Sequence, residues 1–538
     1  MPGLSRSAAC LGMLLAVAVS AQPAPPGRSR STAVFLTSDR CFACHNGLVA
    51  ASGEDFSIGH AWSASMMANS SRDPYWQAGV RREVLDHPSV AAAIEAECSV
   101  CHMPMMRYEA HLAGREGQVF AHTRFDPASR ADRLAADGVS CSLCHQIARE
   151  RLGTRESFVG RFLIDEGGSG LRVAFGPYDV DAGRVRIMSS SSGFRPVRSE
   201  HIQQSELCAT CHTLFTHTLD ASGKAVAEFP EQMPYLEWLH SEYRRTKSCQ
   251  SCHMPAVASP APIASVLGQP REGVSRHDFL GGNFFMQRLL NRFRNELFVM
   301  ASPGTLEQAA VRTIAHLQEE TARVTIEDAA VRADSLEAFI RVENLAGHKL
   351  PTAYPSRRVW LHIVVRDRDK RTVFESGALA ADGSIQGNDN DLDPHRFEPH
   401  YREIRAPDQV QIYEAVMGDA AGRPTTGLLS AMSYLKDNRL LPHGFDKRTA
   451  EKEIAVAGDA AADEDFAGGG DRLRLAIRVP HGAGPFEIVA ELCYQPIAFR
   501  WAANLRAYRA FETQRFLRYF EAMASASAVV VSRAVAVR

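Results

Sequence analysis

Five times in this chain two cysteines stand three residues apart with a histidine directly after the second. The runs are Cys41-Phe42-Ala43-Cys44-His45, Cys98-Ser99-Val100-Cys101-His102, Cys141-Ser142-Leu143-Cys144-His145, Cys208-Ala209-Thr210-Cys211-His212 and Cys249-Gln250-Ser251-Cys252-His253. Two thiols at this spacing can add across the two vinyl groups of a porphyrin, and the next histidine then projects under the ring to bind iron. Rival uses fit less well. Zinc sites pair such units to reach four ligands, and five is an odd number. A thioredoxin-type pair or a structural disulfide has no need of the histidine. The pattern predicts five covalently attached c-type haems, with His45, His102, His145, His212 and His253 as proximal iron ligands. Of the twelve cysteines, only Cys10 and Cys493 stand outside it.

The second axial position decides what such an iron does. A second histidine makes a low-potential carrier, methionine raises the potential, and an empty position permits catalysis. Five of the 20 histidines are in the motifs, which leaves fifteen. His201 just before the fourth motif, His277 in Arg276-His277-Asp278 and His348 in Gly347-His348-Lys349-Leu350-Pro351 stand out by position as distal candidates. His60, His87, His111, His122, His217 and His240 are weaker ones. Met66 and Met67 offer thioethers, although packing is the plainer use of methionine. Met103 and Met254 directly follow proximal histidines and cannot easily turn back over their own rings. All five motifs end in His and none in Lys, which lowers the expectation of nitrite-reductase chemistry.

Around the motifs the chain resembles the multihaem cytochrome family that includes the tetrahaem electron carrier of nitrifying bacteria. The resemblance rests on Glu97-Cys98 to Pro104, Asp137-Gly138-Val139-Ser140-Cys141 to His145, Glu237-Trp238 before Cys249 to Pro255, Arg276-His277-Asp278-Phe279 and Asn344-Leu345-Ala346-Gly347-His348-Lys349-Leu350-Pro351-Thr352. It covers most of residues 35–375. It implies periplasmic or surface electron transfer, with His277 and His348 as distal ligands borrowed from distant segments. Ser65-Met66-Met67-Ala68 departs from the family, whose members often carry histidine in that context.

Six segments must position these residues. An apolar run from Ala8 to Val19 behind Arg6, ending at Val19-Ser20-Ala21, reads as a signal peptide over 1–21, because it is too short to span a bilayer as an anchor. Residues 22–34 read as a flexible leader and 35–300 as a pentahaem domain, mainly helical and irregular, in which haems stand in for a side-chain core. A connecting helix follows over 301–323, started by a capping box at Thr305-Leu306-Glu307-Gln308 and striped by Leu306, Ala310, Ile314 and Leu317. Upstream, Phe284 to Met300 also reads as an amphipathic helix. Residues 324–500 turn to a period of two. Leu336, Ala338, Ile340 and Val342, then Phe486, Ile488, Ala490, Leu492 and Tyr494, alternate with other residues. Arg358 to Arg366 and Arg371 to Glu375 flank a turn, and the whole predicts an antiparallel β-sandwich. Cys493 falls on the opposite face as a plain unpaired thiol. Residues 501–538 read as a helix and tail, with Leu505, Tyr508, Phe511, Phe516 and Tyr519 packing back. The fold class is therefore α+β multidomain.

Composition narrows the partners. A net charge of −2 over 538 residues leaves no basic excess for nucleic acid, and no segment after the signal is long and apolar enough to span a membrane. Loss of Arg6 takes the charge to −3, and five ferric haems with ionised propionates take it to about −8, which suits basic docking surfaces. The acidic runs Asn388-Asp389-Asn390-Asp391-Leu392-Asp393 and Asp463-Glu464-Asp465 through Asp471 admit calcium, without the EF-hand spacing. The reading is a periplasmic or extracellular electron carrier working with redox partner proteins or quinol-linked membrane complexes. The alternatives are an oxidoreductase with one open haem acting on a small nitrogen or sulfur compound, and a subunit of an extracellular cytochrome polymer.

Overall fold

Helical spacing sets residues three and four apart on one face, so a helical turn presents both thiols and the histidine of a motif together. Each motif takes that form. The first lies in α1 (Asp39–His45). The second closes α3 (Ala91–His102), which follows α2 (Pro74–Asp86). The third fills α4 (Cys141–Cys144). The fourth starts in α5 (Ser205–Ala209) and ends in a turn closed by the His212 N–H on the Cys208 carbonyl (2.9 Å). After α6 (Pro234–Leu239) the fifth forms α7 (Cys249–His253). The computed structural model describes residues 33–165 and 171–538. The expected signal peptide and all but the last two residues of the leader lie outside them.

Two longer helices lead into the second half: α8 (Phe284–Arg292) and α9 (Pro303–Glu320). The amphipathic run upstream is helical only to Arg292, and Met300 is largely exposed. The cap of α9 is Ser302, not Thr305: its hydroxyl accepts the Thr305 N–H (3.2 Å). Pro303 at the first helical position explains the earlier start, since its fixed φ suits a helix and its missing N–H has no partner to lose. Leu306, Ala310 and Leu317 are buried as the stripe requires.

The sandwich follows. One sheet of four strands runs β5 (Glu403–Ile404), β9 (Gly470–Arg478), β2 (Ser335–Asn344), β1 (Ala322–Arg332). The other, of seven, runs β7 (Pro424–Thr425), β6 (Ile412–Gly418), β3 (Arg358–Arg366), β10 (Glu487–Gln495), β11 (Val529–Val537), with β4 (Thr372–Ser376) on β3 and β8 (Ser433–Asp437) on β6. All pairings are antiparallel except β5 with β9. Leu336, Ala338, Ile340 and Val342 of one sheet share a core with Ile488, Ala490, Leu492 and Tyr494 of the other. Cys493 does lie on the reverse face, but it is buried there against Trp360, Ile385, Val410 and Ile412, and burial pushes its thiol up to about 12.

The end of the chain departs from expectation. After α10 (Phe511–Glu521) the final residues return as β11 beside β10, because a valine-rich stretch suits a pleated, half-buried surface. Leu505, Phe516 and Tyr519 pack back, whereas Phe511 is 65% exposed at the start of its helix. Residues 35–538 form one compact unit, and Phe284, Leu306 and Val324 belong to the same core as the sandwich strands. Among the described residues no helix is long and apolar enough to cross a membrane.

Candidate functional site

Four of the five motifs open onto one cavity of about 1290 Å³, lined by Cys41, Cys44, His45, Cys141, Cys144, His145, Cys208, Cys211, His212, Cys249, Cys252 and His253. Ordinary small-molecule pockets run to about 300–1,000 Å³, so this space exceeds what one small substrate needs. The second motif stands outside it. There His102 stacks on Trp76, with ring centroids 4.3 Å apart and planes 4° from parallel.

Thiols of different motifs touch. Cys41 lies against Cys141, which pulls the former down and pushes the latter up. Cys208 stands likewise against Cys249, and Cys211 against Cys101. The motifs are thus linked first to third, second to fourth and fourth to fifth. None of the ten thiols is in a disulfide.

Four of the five motif imidazoles meet a backbone carbonyl through Nδ1. Nδ1–H of His45 donates to the Ile263 carbonyl (2.7 Å), that of His102 to Ser70 (3.0 Å) and that of His145 to Phe175 (2.5 Å). His253 donates likewise to Leu280. A carbonyl oxygen can only accept, so the hydrogen sits on Nδ1 and Nε2 keeps its lone pair, as metal-ligating histidines require. Burial holds all four rings neutral, His102 down to about 4. His212 is also lowered to about 4 by burial, but among the described residues its ring has no hydrogen-bond partner.

Of the distal candidates, His277 and His348 line the cavity and His201 does not. His348 donates Nδ1–H to the Lys349 carbonyl (2.9 Å), and its ring lies 6.2 Å from that of His253, 11° from parallel. With metal–imidazole bonds of about 2 Å, two rings opposed across one ion have centroids roughly 6 Å apart, a separation that both His348 and His316 keep from His253. His277 donates Nδ1–H to the Ser275 carbonyl (3.1 Å) and is lowered to about 3 by burial and by the nearby His145 and His45. His201 uses both nitrogens, Nδ1 with the Ser199 hydroxyl (2.7 Å) and Nε2 with the Ile147 carbonyl (2.8 Å). Its ring packs edge-on to Phe175. His60 is exposed and hydrogen-bonds Thr305 (2.5 Å). Met66 and Met67 reach the cavity wall. His87, His111, His122, His217 and His240 do not; His122 is bound instead to Asp132 (2.7 Å).

The sandwich half holds His348 in place. The Glu237 carboxylate of α6 accepts the Lys349 N–H (3.2 Å) and the Thr352 hydroxyl (2.5 Å), and it pairs with Arg439 (3.0 Å). Arg439 and Lys349 both pair with Asp437 (2.8 and 2.7 Å). This buried network pins the His348 loop from both sides and holds the Asp437 carboxyl well below the usual range.

Sequence reasoning missed three residues of this wall: His316, Arg357 and Tyr494. His316 lies on α9, 6.2 Å from the His253 ring at 57°. No local motif marks any of the three, and only the helix period, which sets His316 one turn from Arg312, hints at a shared face.

Neither acidic segment supports calcium. Asp391 is held by the Arg358 guanidinium in two 2.9 Å bonds, and Asp389 pairs with Arg396. Asp463 and Asp471 do gather around His400. There Nδ1 of His400 accepts from the Gln411 and Asn438 side-chain amides (3.0 and 3.1 Å). Those amides are fixed by the Tyr401 and Glu414 N–H groups on their oxygens (2.8 and 3.0 Å). The ring hydrogen is therefore on Nε2, donated to Asp463 (3.2 Å), the arrangement opposite to a metal ligand's.

No protein-family model matches the chain, and no curated protein matches its sequence. A solved structure does share the fold. It is a penta-heme cytochrome c552 from Thermochromatium tepidum, 14% identical, with a TM-score of 0.54 over 94% of this chain and 99% of that one. The likeness therefore spans both the motif-bearing half and the sandwich.

Proposed function

We propose that this protein is an exported carrier of five c-type haems that passes electrons between redox partner proteins or quinol-linked membrane complexes. One observation carries the reading: imidazoles of the first, third and fifth motifs, their tautomers set by backbone carbonyls, border one oversized cavity in which thiols of different motifs touch. The fold shared with a penta-heme cytochrome c552 supports it. The haems would supply one-electron chemistry through iron. The chain's own part is to hold and space them. Cys41, Cys44, Cys98, Cys101, Cys141, Cys144, Cys208, Cys211, Cys249 and Cys252 anchor them, the five motif histidines bind on one side, and His348 opposes His253. His277, which faces the first and third motifs, serves one of those. Electron paramagnetic resonance of the oxidised protein tests the assignment. His348→Ala should convert one low-spin signal to high spin; an unchanged spectrum would remove His348 from the coordination sphere.

A second reading, an oxidoreductase with an open haem, has an observation of its own. The His253 ring has two histidines from outside the motifs beside it, His316 and His348, whereas His102 stacks on Trp76 and His212 has no ring contact with a histidine among the described residues. A high-spin signal in the resting wild-type protein that shifts on adding nitrite or hydroxylamine would favour it. A uniformly low-spin spectrum would leave the carrier.

A further inference from the structure

Six arginines line the cavity, and three of them have carboxylate partners. Arg276 pairs with Glu54 (2.7 Å), Arg312 with Asp278 (3.1 Å) and Arg184 with Asp181. Arg40, Arg271 and Arg357 have none among the described residues; Arg40 is exposed and Arg271 lies over the Tyr178 ring and donates to the Asp179 carbonyl, whereas Arg357 stands at the foot of β3. Its Nη1 donates to the Thr352 carbonyl (3.0 Å) and its Nη2 reaches the Asn283 amide oxygen at 3.5 Å. Both acceptors are neutral, and no carboxylate among the described residues pairs with it. A guanidinium carries five N–H donors, so most of its capacity points elsewhere. Its charge bears on His212, His253 and His348, making each less basic, and on the Tyr494 phenol. Arg357 therefore stands where the fourth and fifth motifs meet.

Tyr494 of β10 stands beside it on the same wall. The phenol is buried, and its hydroxyl has no hydrogen-bond partner among the described residues. The backbone makes room for that hydroxyl: a Cβ at Gly282 would collide with it. A cation and a hydroxyl donor converge on a largely apolar space, and burying such a charge is costly unless it is paired.

We propose that Arg357 and Tyr494 form an anion-binding site for a carboxylate or small oxoanion at the junction of the fourth and fifth motifs. This inference rests on the haem-carrier reading. The anion has two sources of the same chemistry: a propionate of a haem tethered at either motif, or a diffusible oxoanion. In both cases the planar fork of Arg357 matches two oxygens at once, and Tyr494 donates to one of them.

The test uses the mature, full-length protein with Arg357→Gln, Arg357→Lys and Tyr494→Phe variants. Intact mass is measured first. A wild type without haem would defeat the carrier reading itself, independently of this site. With haem present, potentiometric titration and optical titration with nitrite are run on each variant. If the anion is a propionate, Arg357→Gln lowers the midpoint potential of one or two haems, because losing a positive charge favours the ferric state. Arg357→Lys then restores part of the shift, Tyr494→Phe gives a smaller shift of the same sign, and nitrite changes nothing. If the anion diffuses in, nitrite shifts the wild-type Soret band, whatever the change in potential, and Arg357→Gln weakens that binding tenfold or more. Should Arg357→Gln not mature, Arg357→Lys and Tyr494→Phe are read in the same way. Unchanged potentials together with unchanged nitrite response would overturn the proposal.

Discussion

In α1, which carries the first motif, no residue is buried; in β6 of the sandwich all seven are. The two strips are equally short stretches of one chain, yet they earn their order differently. The sandwich buries alternating side chains from two sheets against each other and closes its own core. The motif-bearing half keeps short helices, long connections and a wide cavity where a core would be. The contrast teaches that apolar side chains fill the interior of one half, whereas the other leaves a space bordered by its cysteines and histidines.

The largest effect expected from this contrast follows removal of the cofactor. Protein produced without haem attachment should lose protease resistance across residues 35–300 while 324–538 stays protected. Limited proteolysis with mass mapping checks this, and equal protection of both halves would break the distinction. Next comes the buried charge network that joins the halves. Asp437→Asn leaves Lys349 and Arg439 without their shared carboxylate and should cost about 3 to 5 kcal/mol in denaturant unfolding. It should also loosen His348 enough to raise a high-spin signal. A variant as stable as wild type would show that the network does not hold the loop.

A smaller effect concerns pH inside the sandwich. Burial raises the Asp471 carboxyl to about 7, although the Tyr413 hydroxyl (2.8 Å) favours its charged form. The folded state thus binds a proton that the unfolded chain has released. The contribution is fully present below the ordinary carboxylate range and is lost as pH rises from there through about 7. Asp471→Asn should flatten the stability profile over that window, as read by thermal melts at a series of pH values; an unchanged slope would contradict the shift. The smallest effect is at the surface. Phe511→Ser should change stability by no more than about 0.5 kcal/mol, because the ring is already largely in solvent.

Much of this was legible locally. The motif spacing is complete within five residues, and the period-two runs at Leu336 to Val342 and Phe486 to Tyr494 mark strands wherever their partners lie. The turn between Arg366 and Arg371 came through for the same reason. What was not legible depends on distant partners. His201 lies close to a motif in sequence but is tied up by Ser199 and Ile147, whereas His316 comes to face His253 from a helix remote in sequence. Arg357 and Tyr494 reach the cavity only because β3 and β10 pair, with Val359 opposite Tyr494. The acidic run through Asp391 looked like an ion cage because its true partner, Arg358, lies 33 positions away in the sequence. The closing strand was missed because a short valine-rich end says nothing of the sheet edge that takes it.

The central claim is that five thiol pairs each hold one iron porphyrin, four around a common space and that of the second motif beside Trp76. Intact-mass measurement of the mature protein is its most direct test. The account predicts a mass equal to the processed polypeptide plus five haems, falling by one haem when Cys208 and Cys211 are both replaced by alanine. A mature protein at the bare polypeptide mass would contradict it.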